Sequence, residues 1–413
     1  MVEPAAGSVT AVTPSPAAPD VAPWLDLTDP AIMADPYAAL AQARSMAPVG
    51  WHSGLQMYAA TSHAACNAVL RDRSLGRIFA PREPEADWAT FNWLHADSIL
   101  DSEPPKHTRL RRLIAGAFGR GHVQRLAPRI EQLAVDLVEG CAEQLAETGR
   151  FDVIEGLAEP LPVLVIAELL GVPQADRHLL RPWSQAIVRM YEMTRTPAQE
   201  QAAQQACAEF AAYVEVLAAD RARHPGTDLL SDLVAARDGT DRLSPRELVA
   251  TAVLLLNAGH EASVNGFGNG VASLLASGAL ERDGLADPAL LVEEMLRHDS
   301  PLQLFERTAV HDTMIEGVPI RAGEKIAALL GAANRDPAVF AAADDFRPMR
   351  DPNPHLAFGA GIHFCVGAPL ARLELATSVG VLFGRWPRLR VVEATRRPTF
   401  VLRGYERLML GVG

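Results

Sequence analysis

The stretch Phe358-Gly359-Ala360-Gly361-Ile362-His363-Phe364-Cys365-Val366-Gly367 constrains this chain more than any other. Three glycines around one cysteine permit a tight turn with positive backbone dihedrals, and they leave room for a flat ligand to approach the main chain. From Val366 to Trp386 apolar residues recur at helical spacing, and Pro369 is tolerated there only in the first turn of a helix. Cys365 therefore stands at a helix N-terminus, where unpaired N–H groups and the helix dipole favour the thiolate, the form that ligates iron. Phe358 is placed to shield the sulfur from water.

The pattern Phe-Gly-x-Gly-x-His-x-Cys-x-Gly resembles the loop of the cytochrome P450 superfamily, the haem-thiolate monooxygenases, and every fixed position of that pattern is matched. The resemblance runs from about Trp24 to the C-terminus. It implies a mainly α chain with small β-sheets, a single-domain cytochrome P450 fold over residues 24–413. It also implies haem b held by Cys365 as the metal ligand, with Phe358, Gly359 and Gly367 shaping the loop around it.

Composition agrees with a large globular chain. With 413 residues and 49% hydrophobic content a sizeable core is available, and length alone suggests roughly three ordinary domains where the resemblance implies one. Cys66, Cys141, Cys207 and Cys365 are too scattered for a disulfide framework or a cysteine-only zinc site, which points to a reducing cytoplasm. The net charge is -12, from 38 basic and 50 acidic residues, and no long basic run is present to neutralise phosphates, which argues against nucleic acid.

Residues 1–23, rich in Ala, Pro, Ser, Thr and Val, read as a disordered tail, neither signal peptide nor anchor. The longest apolar run, Leu161 to Val172, is broken by Glu168 and too short to span a bilayer, so a soluble monomer is expected. Extended signals are few: Gln56–Ala60, Met314–Pro319, Lys325–Leu330 and Leu389–Val392.

His107 and Arg111 lie four apart just after Pro104-Pro105, so both project from one face near a helix start and can clamp an anion. The resemblance assigns them to the haem propionates, together with Arg307 and His363. Glu294 and Arg297, opposite charges at i and i+3, would normally form a weak surface pair. By resemblance they join Arg350 in a buried structural triad that holds the cysteine loop.

Leu254 to Asn265 resembles the long helix that crosses the distal haem face, with Ala258 and Gly259 against the cofactor. Glycine inside a helix costs about 1 kcal/mol relative to alanine, so Gly259 needs a reason, such as space for dioxygen or close helix packing. Oxygen activation consumes protons, and the family usually places an acid followed by threonine here. Glu261 supplies the acid, but Ala262 stands where the threonine hydroxyl is expected. Ser263 is about 100° further round the helix and does not simply replace it. A substrate hydroxyl or ordered water is expected to complete the catalytic group of Glu261, Ala262 and Ser263.

By resemblance the substrate pocket is lined from Gly76–Leu100, Arg181–Tyr213, Asn257–Ala262, Leu302–Phe305 and Val401–Arg403. Within these, Trp88, Phe91, Trp93, Leu302, Leu304 and Leu402 point to an apolar cavity for a medium to large organic substrate, with Asn257 also placed in the pocket, although the aromatic residues equally suit packing of their own loop. No flavin or nicotinamide fingerprint is present. Electrons are therefore expected from NAD(P)H through a separate reductase and a ferredoxin, docking near Arg109, Arg112 and Arg372. Two further readings stay open at this level: an oxidative-coupling or peroxide-using member of the family, and a haem-binding sensor or carrier without turnover.

Overall fold

The computed structural model describes Ser15 and residues 17–115, 120–192, 195–236 and 241–413. Its axis is a 33-residue helix, Pro245–Ser277, about 50 Å long. Ser244 starts this central helix with a reciprocal cap. The Glu247 N–H donates to the Ser244 hydroxyl at 3.2 Å, and the Ser244 N–H donates to the Glu247 carboxylate at 2.9 Å. Gly278, at φ 62°, ends it in the left-handed region. The helix is buried nearly all round because others enclose it, among them Pro160–Leu170, Leu180–Val188, Pro197–Arg223, Pro288–His298 and the C-terminal helix Ala368–Arg385.

Among the described residues three small sheets flank the helices. The largest runs in the order Val49–His52, Met57–Ala60, Lys325–Leu329, Leu304–Ala309 and Leu75–Gly76, with only its second and third strands parallel to each other. Phe151–Asp152, Tyr405–Val412 and Leu389–Arg396 form the second, and Thr313–Ile315 with Val318–Ile320 the third. Each expected extended segment overlaps a strand, although Gln56 and Glu316-Gly317 are turns and Leu330 opens a short helix, whereas Val49–His52, Leu304–Ala309 and Tyr405–Val412 carry no alternating pattern strong enough to reveal them.

Of the tail expected over residues 1–23, residues 1–14 and Pro16 lie outside the described residues, and the rest is packed against the protein. Ala18 and Val21 are buried, and the Val21 N–H donates to the Trp51 carbonyl at 2.8 Å. A side chain on Gly50 would collide with Val21 Cγ1 and the Pro19 carbonyl, so that glycine makes room for the segment.

Glu294 anchors the segment that leads into the cysteine loop. Arg297, wholly buried, grips its two carboxylate oxygens at 2.7 Å each, and Arg350 Nε lies 3.1 Å from Oε2. The Arg347 N–H and Asn353 Nδ2 donate to the same carboxylate at 2.7 and 3.2 Å. Arg297 also donates to the carbonyls of Asn334, Ala343 and Asp345. Glu294→Ala is expected to cost about 3–5 kcal/mol of unfolding free energy, because it strips the carboxylate from a buried guanidinium. Urea unfolding measures this, and a loss below about 1 kcal/mol, the range of a surface pair, would contradict it.

Candidate functional site

The loop folds back on itself at Cys365, whose N–H donates to the Phe358 carbonyl at 3.0 Å. Gly359 and Gly361 both sit at φ 69°, and a Cβ at Gly361 would lie 2.5 Å from the Leu70 carbonyl oxygen, so only glycine fits there. Gly367 differs from the expectation of a third strained position. Its φ is -82°, it caps the C-terminal helix, and an added Cβ would approach only Cys365 Sγ, at 3.9 Å. The thiolate expectation also needs correcting for the protein alone. Burial pushes the Cys365 thiol up, against the opposing pull of the Gly367 N–H, Arg111, the Ala368 N–H and Arg372. A metal cation is what such a sulfur needs to lose its proton. Phe358 stacks beneath the Arg372 guanidinium, 4.5 Å from its ring centre.

Basic side chains from separate segments converge beside this loop. His107 and Arg111 project from the helix Lys106–Ala115; the His107 and His363 rings are 4.4 Å apart, and Arg111 donates to the Ile362 carbonyl at 3.2 Å. His363 Nε2 pairs with Glu103 at 2.8 Å, and Glu103 also accepts the Arg77 N–H at 2.7 Å. Arg307 reaches in from the strand Leu304–Ala309, and Arg77 and Arg307 flank the Phe305 ring at 5.6 and 5.5 Å.

The group is short of anions. Burial and then the like charge of Arg77 push Arg307 down to about 10, and burial, His363 and Arg111 push His107 down to about 4. His107 Nε2 and Arg77 Nε are buried without hydrogen-bond partners. A planar group with two carboxylates and a thiolate-seeking metal answers all of these features, so the residues present fit haem. Arg77 escaped the sequence reading because nothing local marks it.

On the central helix, Ala258 is exposed while Leu254, Gly259 and Ala262 are half-buried, so this arc borders open space. Gly259 is already accounted for by packing: a Cβ there would sit 3.2 Å from Ile166 of the helix Pro160–Leu170. Glu261 is buried and bound to Arg397 Nη1 at 2.7 Å. Arg397 also holds Glu159 at 3.0 Å, and Glu159 pairs with the half-exposed Arg181.

Ser263 lies apart from that arc. It lines a cavity of about 10 Å³, roughly one water, with Leu157, Leu161, Phe267, Ser378 and Glu374 of the C-terminal helix. Glu374 is buried with no cation or hydrogen bond at its carboxyl, although its carbonyl accepts from the Ser378 hydroxyl at 2.8 Å, and burial raises the carboxyl to about 8. It is a proton-holding group the sequence reading missed.

The pocket segments meet in part. Leu302 and Leu402 are joined by an isolated bridge, and both are half-buried, as is Leu304. Trp88, on the helix Glu85–Ala96, instead packs edge-on to Phe91 of the same helix at 5.2 Å, beneath Arg82. Asn257 is buried. The three arginines expected to form a basic docking patch are all engaged. Arg109 pairs with Glu247 and, at 3.4 Å, Asp241; Arg372 grips Glu293 at 2.6 and 2.9 Å; Arg112 also has a partner.

A family model described as Cytochrome P450 matches residues 290–386. Nocardicin C N-oxygenase of Nocardia uniformis subsp. tsuyamanensis is 40% identical over 82% of this chain and 84% of its own length. Mycinamicin IV hydroxylase/epoxidase of Micromonospora griseorubida is 39% identical over 87% of this chain and 89% of its own. Among solved structures, P450BioI in complex with an acyl carrier protein ligated to hexadec-9Z-enoic acid superposes with a TM-score of 0.85 at 32% identity, covering 93% of this chain and 99% of that one.

The Glu374 environment has a direct consequence for stability. Its folded pKa of about 8 lies above the ordinary 4.5, so the neutral carboxyl is fully compatible with the fold at low pH and stability is lost as pH rises through 8. Glu374→Gln is expected to remove a slope of up to about 1.4 kcal/mol per pH unit between these limits. Urea unfolding at pH 5, 7 and 9 tests it; parallel curves for the two proteins would show that Glu374 is not held neutral.

Proposed function

The chain belongs to the cytochrome P450 family and is a monooxygenase, and we propose that it inserts one atom of dioxygen, by hydroxylation or epoxidation, into a medium to large apolar natural product that bears oxygen functions. The observation that carries this reading is the buried cysteine loop ringed by His107, Arg111, Arg307, His363 and Arg77 with too few anions to balance them. The sequence reading of a carrier without turnover is set aside by the family. When bound, haem b supplies the iron at which dioxygen is activated.

The chain's own residues bind, orient and supply protons. Cys365 is the metal ligand, and the five basic side chains are the propionate donors. Glu261 is the acid nearest the exposed arc, and the sequence of ion pairs through Arg397, Glu159 and Arg181 connects it to the surface. Arg397 donates to both carboxylates at once, so a proton reaches Glu261 from water only when that pair opens. Ser263 and Glu374 offer a second reserve on the far side of the central helix.

Electrons come from NAD(P)H through a reductase and a ferredoxin that docks over the cysteine loop. Because Arg109 and Arg372 are ion-paired, they present a charge already partly balanced, and docking is less salt-dependent than a bare patch would give. Among the described residues no helix is long and apolar enough to cross a membrane.

The missing hydroxyl at Ala262 favours a second reading, an oxidative-coupling or peroxide-using enzyme. Turnover with ferredoxin, reductase and NADPH decides between them, since product formed with peroxide alone favours the second. In the same assay Ala262→Thr is expected to leave the coupling of NADPH to product unchanged or lower with a hydroxyl-bearing substrate. A sharp rise would show that the native site lacks a hydroxyl that nothing else replaces.

A further inference from the structure

A cleft of about 740 Å³ lies apart from the cysteine loop, the basic ring beside it and the exposed arc of the central helix, none of which lines it. Its size falls within the ~300–1,000 Å³ of small-molecule sites. Its walls are the C-terminal turns of the central helix, the end of the helix Pro288–His298, and Arg396 and Tyr405 of the second sheet. Among the described residues five arginines and four aspartates line it.

The floor carries an excess of positive charge. The side chains of Arg335, Arg396 and Arg403 are 12%, 24% and 4% exposed, and Asp299 is the buried carboxylate that they share. Arg396 Nη2 and Arg403 Nε hold it at 2.7 and 2.8 Å, and the Tyr37 hydroxyl donates to it at 2.7 Å. Burial would raise that carboxyl, but the two guanidiniums keep it well below the usual carboxylate range. Arg335 is left short of partners. It stacks on the Tyr37 ring at 3.7 Å and donates Nε–H to the His298 carbonyl at 2.8 Å. Its other nitrogens make long contacts, Nη1 with Asp344 at 3.4 Å and Nη2 with His298 Nδ1 at 3.3 Å. Both exceed the ~2.7–3.2 Å of a good hydrogen bond. Asp344 is 84% exposed, so water screens it. At the rim, Arg282 donates to the Ser277 carbonyl at 2.8 Å, and Arg347 pairs with exposed Asp345 at 3.2 Å. The remaining acid, Asp35, is also exposed.

We infer that this cleft binds a small molecule carrying a diphosphate group, with Arg335 and Arg396 at the floor and Arg282 and Arg347 at the rim as its donors. Guanidinium forks match phosphate oxygens, and two linked phosphates offer acceptors to floor and rim together. Asp344 is the competing carboxylate that the ligand displaces from Arg335. The site is separate from the oxygenation centre, and the inference does not rest on the substrate reading.

The test titrates the full-length ferric holoprotein with inorganic pyrophosphate and with adenosine 5′-diphosphate by calorimetry, at fixed ionic strength and with the haem spectrum recorded alongside. One-to-one binding with Kd below about 1 mM and an unchanged Soret band is expected. Tighter binding of the nucleotide than of pyrophosphate assigns the cleft to an organic diphosphate, and equal or weaker binding shows that the diphosphate group alone is recognised.

Arg335→Gln is expected to weaken binding at least about tenfold, the loss of a charge-assisted hydrogen bond. The rim variants Arg282→Ala and Arg347→Ala weaken it about threefold each and leave the thermal midpoint unchanged. Asp344→Asn tightens it about threefold, because the competing carboxylate is gone. Should Arg335→Gln not fold, the two rim variants and Asp344→Asn carry the test, since all three alter exposed side chains. The inference is overturned if Kd in the wild type exceeds about 10 mM. It is also overturned if the variants bind as the wild type does, or if the Soret band moves with the titration, which would place the anion at the haem.

Discussion

Positive charge held in the interior without enough negative charge to balance it is the constraint around which this structure is arranged. The guanidiniums of Arg77, Arg111 and Arg307, with His107 and His363 beside them, are brought together from four segments and face chiefly Asp101 and Glu103. Unbalanced cations in a low-dielectric region oppose folding unless an anion joins them. The scaffold holds them there regardless. Arg307 is fixed by strand register opposite Ile326, His107 and Arg111 by one helix face, and His363 by a turn that only glycine at position 361 allows. The Glu294 cluster, gripping Arg297, Arg350 and the Arg347 N–H, sets the path of the chain into that turn.

The central helix divides the proton-handling groups between two environments. Glu261 is ion-paired with Arg397 and linked outward through Glu159, whereas Glu374 faces a water-sized cavity with no cation to hold its charge. One carboxylate is tethered by a movable guanidinium and the other holds its proton by desolvation, so the two respond to different stimuli. Gly259 lets the helix lie close to Ile166, which fixes the helix relative to the segment that carries Glu159.

Features carried by contiguous residues were legible in the sequence. The cysteine loop, the central helix and the Glu294–Arg297 spacing each lie within a few turns of chain. Contacts across long separations were not. Arg397 meets Glu261 across 136 residues, and Arg77, Glu159 and Glu374 sit in segments with no pattern of their own. Strand Leu304–Ala309 escaped because most of its residues are half-buried on both faces, so it lacks the alternation of a surface strand. Ser263, expected in the catalytic group, and Gly259, expected against the cofactor, face other neighbours, a distinction that needs the packing of the surrounding helices. The thiolate expectation at Cys365 weighed the helix terminus without the burial that opposes it.

The central claim is that Cys365, within its ring of basic groups, holds a haem through a thiolate. The ferrous carbon monoxide difference spectrum of the purified full-length protein tests this most directly. The strongly red-shifted Soret band of a thiolate-ligated haem, lost in Cys365→His, is the result this account requires. A band typical of imidazole ligation in the wild type, or the same spectrum in both proteins, would contradict it.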